Sequence, residues 1–170
     1  MKLEVNGYPV GYMGTNCFLV TDKESGKRFI VDPGEYDHSL KKLLSNVERG
    51  EIEYILLTHG HFDHIMGVRA VKENYGGKIV IHEKDADCFT NDEKSLISHF
   101  GFDGKLPEKA DISVKDGDKL PFADGEIEVL HTPGHTEGSV CYLINDLLFS
   151  GDTLFCGSVG RTDFKSGSYE

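Results

Sequence analysis

The sequence predicts a mixed α/β domain in which two packed sheets carry helices on their outside. Three observations carry this expectation. Short apolar runs bounded by turn residues open the chain, helical and strand periodicities alternate through its middle, and strands return after Gly117. Strands at both ends argue against a strictly alternating parallel sheet. A length of 170 residues suits one domain with a sizeable core.

The elements follow in order. Residues 2–5, 16–21 and 28–31 read as strands, with turn signals at Glu24-Ser25-Gly26 and Asp32-Pro33-Gly34. Leu40, Leu43, Leu44 and Val47 recur at helical spacing between charged residues, and Gly50 closes that helix. Residues 53–57 form an apolar strand that runs straight into Thr58-His59-Gly60-His61. A second helix is predicted over residues 63–75, with Ile65, Val68, Val71 and Tyr75 on one side and Gly76-Gly77 as its stop. Residues 78–82 are another strand, and residues 83–100 are expected to be helical in part. Gly117 and Asp124-Gly125 punctuate two further strands, the second ending over residues 127–130. Residues 140–144 and 147–150 form a hairpin around Asn145-Asp146, just before Gly151-Asp152.

Composition narrows the class. Hydrophobic residues make up 38% and charged residues 28%, as in an ordinary globular domain. No apolar run approaches the roughly 20 residues that span a bilayer, so no membrane partner is expected. Residues 1–10 lack a basic region followed by an apolar block, which makes a cytoplasmic location the expectation. A net charge of -11 repels phosphate backbones, so no nucleic-acid partner is expected either. Cys17, Cys88, Cys141 and Cys156 form no C-x-x-C pair and read as small buried hydrophobes in a reducing compartment. The sequence sets no oligomeric state.

The chemistry concentrates in one place. His59, His61, Asp63 and His64 all fall within residues 59–64. His59 and His61 are two apart on an extended segment, so both imidazoles point the same way. Gly60 leaves room for a bend, and Asp63 and His64 begin the next helix. A strand end, a turn and a helix start can thus aim four ligands at one point. Imidazole and carboxylate are donors that zinc, iron and manganese accept. A merely polar loop is the competing reading. Two further strand ends present His135, in Thr132-Pro133-Gly134-His135-Thr136, and Asp152, in Ser150-Gly151-Asp152-Thr153. Each alone also reads as an ordinary turn. A metal site on a sheet rim requires all three to lie at the ends of apolar strands.

Thr58-His59-Gly60-His61-Phe62-Asp63-His64, Thr132-Pro133-Gly134-His135-Thr136 and Ser150-Gly151-Asp152-Thr153-Leu154-Phe155 together resemble the metallo-β-lactamase superfamily. The run Gly157-Ser158-Val159-Gly160-Arg161-Thr162-Asp163-Phe164 narrows the likeness. It resembles the short glyoxalase II-like (hydroxyacylglutathione hydrolase-like) hydrolases, and also the persulfide dioxygenases. The resemblance covers nearly the whole chain. It implies a four-layer αβ/βα sandwich of two mixed sheets with outer helices and metals at the rim. It implies one metal on His59, His61 and His135, a second on Asp63 and His64, and Asp152 bridging them. Two zinc ions per intact protein are expected, with iron or manganese as other occupants. The family pattern adds a last histidine in a Gly-His-Gly-type turn beyond the Gly-Arg-Thr-Asp-Phe run, and a closing helix. No residue up to Glu170 matches that histidine. The expectation is therefore a single, C-terminally truncated domain over residues 1–170 with a weakened second site. A one-metal protein is the other reading.

The function this implies is metal-dependent hydrolysis of a small-molecule thioester. Paired metals about 3.5–4 Å apart lower the pKa of a shared water and deliver hydroxide. Asp63 is the catalytic candidate, orienting that hydroxide or accepting its proton. Thr58 and His131 read as supporting polar residues or as ordinary structural ones. Arg161 is a candidate substrate contact, and equally an ordinary surface arginine. Cys156 reads as a buried or incidental thiol, and His38, His82 and His99 as surface or core residues. A mononuclear iron persulfide dioxygenase and an inactive metal-binding fragment are the alternatives.

Overall fold

The computed structural model describes residues 1–101 and 105–169. One sheet holds β1 (Leu3–Val10), β2 (Thr15–Asp22), β3 (Arg28–Val31), β4 (Ile52–Leu56), β5 (Lys78–His82) and β6 (Ile112–Val114), in that spatial order. It is mixed: β1, β2 and β3 pair antiparallel, whereas β3 through β6 pair parallel. The other sheet holds β7 (Lys119–Phe122), β8 (Gly125–His131), β9 (Val140–Ile144) and β10 (Leu147–Phe149), antiparallel in the order β10-β9-β8-β7. The α/β architecture of two sheets expected from the sequence is the one observed.

The apolar runs of β3, β4 and β5 follow from burial on both faces. Side chains alternate across a strand. Ile30, Ile55, Ile79 and Ile81 face a core that they share with Leu40, Ile65, Val68 and Val71 of the helical side. Phe29, Val31, Tyr54, Leu56 and Val80 face the second sheet, meeting Val129, Tyr142 and Phe149. Phe29 anchors this intersheet core, edge-on to Phe122 at 4.9 Å and to Phe149 at 5.9 Å between ring centroids.

The helices are shorter than their periodicity suggests. They are α1 (His38–Leu43), α2 (Phe62–Ile65), α3 (Val68–Tyr75) and α4 (Asp92–Ser95). The single helix predicted over residues 63–75 is broken in two. The cause is Gly67, whose N–H donates to Gly34 O across the fold. A Cβ on Gly67 would lie 2.9 Å from Pro33 O and 3.0 Å from Gly34 O, so only glycine fits this crossing. Residues 83–100 are helical only in part, as a 3₁₀ turn at Glu83–Asp85 and α4. Among the described residues no helix follows β6, so the second sheet has no helical layer from the segments after it. No helix among the described residues is long and apolar enough to cross a membrane.

Truncating Phe29, which is fully buried, removes the ring that locks the two sheets together. Phe29→Ala is expected to cost about 3–5 kcal/mol, measured as a lower urea midpoint with an unchanged m-value.

Candidate metal centre

Of the sequence-predicted ligands, His59, His61, His135 and Asp152 lie beyond the carboxyl ends of strands, the usual position of sites in open α/β sheets, and Asp63 and His64 lie in α2. β4 leads to residues 58–61, β8 to His135 and β10 to Asp152. The chain leaving β4 is held from both sheets. Leu57 N donates to Val80 O at 2.9 Å, Tyr142 Oη donates to Leu57 O at 2.9 Å, and Val140 N donates to Thr58 O at 2.8 Å. His61 is extended (φ -70, ψ 148) as the residue before α2, which sets Asp63 and His64 in the first turn. Gly151 has φ +49, and a Cβ there would lie 2.2 Å from Thr58 Oγ1. Only glycine lets the β10 strand end pass so close to the histidine loop.

Three imidazoles converge. His59 Nε2 lies 3.1 Å from His61 Nδ1, which lies 2.8 Å from His135 Nε2. The remaining nitrogens fix two tautomers. His59 Nδ1–H points at Thr58 Oγ1 at 3.1 Å, because the Thr58 hydroxyl itself donates to Asp32 Oδ2 at 2.7 Å. His135 Nδ1–H donates to Arg161 O at 2.7 Å. His59 and His135 therefore both turn lone pairs toward His61. One proton on His61 Nδ1 can serve only one of them, and His61 Nε2 is buried with no hydrogen-bond partner among the described residues. A cation at the convergence point resolves all three lone pairs at once. The two separations fall about 0.2 and about 0.5 Å short of the about 3.3 Å expected between nitrogens ligating tetrahedral zinc, so a bound ion would spread the rings slightly. The donor set fits a divalent metal.

A second group of possible ligands comprises His59, His64 and Asp152. Asp152 is shared between the two positions: Oδ1 lies 3.4 Å from His64 Nε2, and Oδ2 lies 3.4 Å from His135 Nε2. Asp63 stands at the edge, its Oδ2 3.5 Å from His64 Nε2 and accepting from Thr15 Oγ1 at 2.9 Å. It joins neither three-ligand group. Arg161 touches the site through its backbone carbonyl. Its guanidinium is exposed, bidentate to Asp163 at 2.6 and 2.7 Å, and lies 4.4 Å from the Phe164 ring centroid. Next to His64 and Asp152 opens a cavity of about 270 Å³, walled by Phe18, Phe149 and Phe155.

Burial sets the protonation pattern. His59 is pushed well below the usual imidazole range by burial and by the neighbouring His64, His61 and His135. His61 is lowered to about 3 by burial, with His135 and His64 adding to the effect. Burial also opposes charge on His64, but Asp32, Asp152 and Asp63 outweigh it and hold His64 well above its ordinary value. Burial raises Asp152, yet its hydrogen bond to His64 and the surrounding imidazoles leave it lowered.

Sequence reasoning passed over Asp32. That side chain is buried, accepts from Thr58 N at 2.8 Å and lies 3.0 Å from His64 Nδ1. An aspartate closing an apolar strand before Pro-Gly was the available signal, and it reads first as a turn. His131 does not support the cluster. Its ring stacks on His82, 4.1 Å between centroids and 6° between planes, and Nε2 lies 2.9 Å from Glu137 O. Cys156 is exposed rather than buried.

Comparison with known proteins places this geometry. The pattern of the metallo-beta-lactamase superfamily matches residues 10–170. Hydroxyacylglutathione hydrolase GloC of Haemophilus influenzae is 33% identical, over 100% of this chain and 80% of GloC. The BLEG-1 B3 metallo-beta-lactamase superposes with a TM-score of 0.86 at 31% identity, covering 98% of this chain and 80% of BLEG-1. TTHA1623, in a di-iron-bound form, superposes with a TM-score of 0.76 at 29% identity, covering 96% of this chain and 79% of TTHA1623.

The pH dependence of the metal-free protein follows from the histidines. His59 and His61 have folded pKa values below 6.5, so their contribution is full above that pH and is lost as pH falls toward the about 3 of His61. His64, raised above 6.5, contributes fully below that pH and loses its contribution as pH rises through its folded value. The urea midpoint of the metal-free chain is therefore expected to drop steadily from pH 6.5 to pH 4. His61→Ala is expected to flatten that slope.

Proposed function

The chain belongs to the metallo-beta-lactamase superfamily and is a metallo-hydrolase by that membership; from this premise we propose that it cleaves a small-molecule thioester in the manner of a glyoxalase II-like enzyme. The observation that carries the proposal is Asp152, whose two carboxylate oxygens reach two adjacent sets of histidines. In this reading His59, His61 and His135 hold one zinc, while His64 and Asp63 hold a second, with Asp152 between them. Metals bound there supply a Lewis acid for the carbonyl oxygen and an acidified water.

The chain's own residues do the remainder. The Arg161 carbonyl orients His135, and Thr58 orients His59. Asp63, its Oδ2 held by the Thr15 hydroxyl, keeps a carboxylate at the site to take the proton of the nucleophilic water. A thiolate leaves readily, so cleavage of a thioester requires no dedicated acid. The cavity of about 270 Å³ beside Asp152 accommodates a small acyl group. Arg161, exposed at the rim, is the proposed contact for a substrate anion once it parts from Asp163. The likeness to GloC over the full chain supports the same substrate class.

A second reading is favoured by one observation. His59, His64 and Asp152 form a two-histidine, one-carboxylate set, the donor pattern of non-haem iron oxygenases. The likeness to TTHA1623 in its di-iron-bound form agrees with iron as an occupant. On this reading the chain oxidises a persulfide.

Elemental analysis joined to activity separates the two. The expected result is about two zinc ions per chain and thioester cleavage that a chelator abolishes. His135→Ala is expected to lower kcat/KM on the order of 100-fold or more. One iron per chain, with oxygen consumed on persulfide addition and no thioester cleaved, replaces the first reading with the second.

A further inference from the structure

Asp85 is a buried carboxylate with no part in the ligand groups above, only 2% exposed at the end of the 3₁₀ turn that follows β5. Its partners are unusual in where they come from. Asp85 Oδ2 accepts from Gly60 N at 3.0 Å and from Thr136 Oγ1 at 2.7 Å, and Oδ1 accepts from Gly138 N at 3.1 Å. Gly60 lies between His59 and His61. Thr136 and Gly138 belong to the loop that presents His135. One carboxylate thus joins a loop of the first sheet to a loop of the second, at the point where each loop turns its imidazoles inward.

The local sequence is built around this contact. A Cβ on Gly138 would lie 2.4 Å from Asp85 Cγ, so only glycine lets that backbone N–H sit on the carboxylate. A Cβ on Gly60 would lie 2.5 Å from Cys88 Cβ and 3.5 Å from Asp85 Cβ. The Thr136 hydroxyl is aimed by Ser139, whose Oγ is 2.9 Å away and also accepts from Thr136 N at 2.9 Å. A carboxylate withdrawn from water is costly unless charge-assisted hydrogen bonds replace its hydration; here three donors offset that cost in part, and burial still holds the Asp85 carboxyl above its ordinary value.

We infer that Asp85 is a positioning residue that sets the separation of His59 and His61 from His135, and through it the metal affinity of the three-histidine group. The inference rests on reading that group as a metal position. Asp85 itself lies outside the ligand set. A clamp that served stability alone would leave the metal affinity of the folded protein unchanged.

Cobalt(II) titration of the metal-free full chain tests this, followed by ligand-field absorption, with circular dichroism and urea unfolding run on every variant. Asp85→Asn keeps the size but turns an amide donor onto the Gly138 N–H or onto the Gly60 and Thr136 donors. The expected result is a folded variant whose first cobalt binds about 10–100-fold more weakly, with an altered absorption band. Thr136→Val, which deletes one donor, is expected to weaken cobalt binding in the same direction, and Thr136→Ser to restore it. A folded Asp85→Asn with wild-type affinity and spectrum overturns the inference. If Asp85→Asn does not fold, the Thr136 pair decides: equal affinities in the Val and Ser variants overturn it. A wild-type chain that takes up no cobalt overturns the metal reading itself, and the inference with it.

Discussion

The site depends on the few residues where β4 leaves its sheet. Leu57 and Thr58 are bonded to β5 on one side, to β9 on the other, and to Asp32 at the end of β3. Backbone groups buried this deeply must find partners, and here the partners come from both sheets. The segment can therefore take one path only. That path delivers His59 to the rim with its ring already oriented by Thr58. The intersheet core of Phe29, Tyr142 and Phe149 fixes the distance between the sheets. It thereby fixes the distance between ligands that come from opposite sides.

Charge is arranged in the same economy of space. His64 sits among Asp32, Asp63 and Asp152, whereas His59 and His61 sit among other imidazoles. Asp32 and Asp63 lie on the His64 side of the cluster, and Asp152 reaches from His64 to His135. A divalent cation near His59, His61 and His135 meets three lone pairs, and burial opposes protonation of His59 and His61. The shared carboxylate Asp152 then faces positive charge on both of its oxygens.

Much of this was legible in order along the chain. The strands at Arg28–Val31, Lys78–His82 and Val140–Ile144 were marked by apolar runs and turn residues. The histidine cluster was marked by donor type and spacing, and His135 and Asp152 by their place after strand ends. Legibility failed where a remote contact overrode a local pattern. The periodicity from Ile65 to Tyr75 is helical throughout, yet Gly67 donates to Gly34 and breaks the helix. Asp32 reads as a turn residue until Thr58 and His64 are placed against it. Asp85 carries no motif, because its three donors are 25 to 53 residues away in sequence.

The sequence by itself determined which donors are available and at which strand ends they appear, because period-two burial and turn chemistry are local properties. It determined the family for the same reason, since its motifs are short and contiguous. The tertiary structure alone decided which donors meet. It put Asp152 between His64 and His135, left Asp63 at the edge against Thr15, and turned the Arg161 guanidinium toward Asp163. The Arg161–Asp163 pair is local, but the Asp152 and Asp63 contacts join segments far apart in the chain at 2.9–3.4 Å, which packing of the two sheets sets and no local pattern encodes.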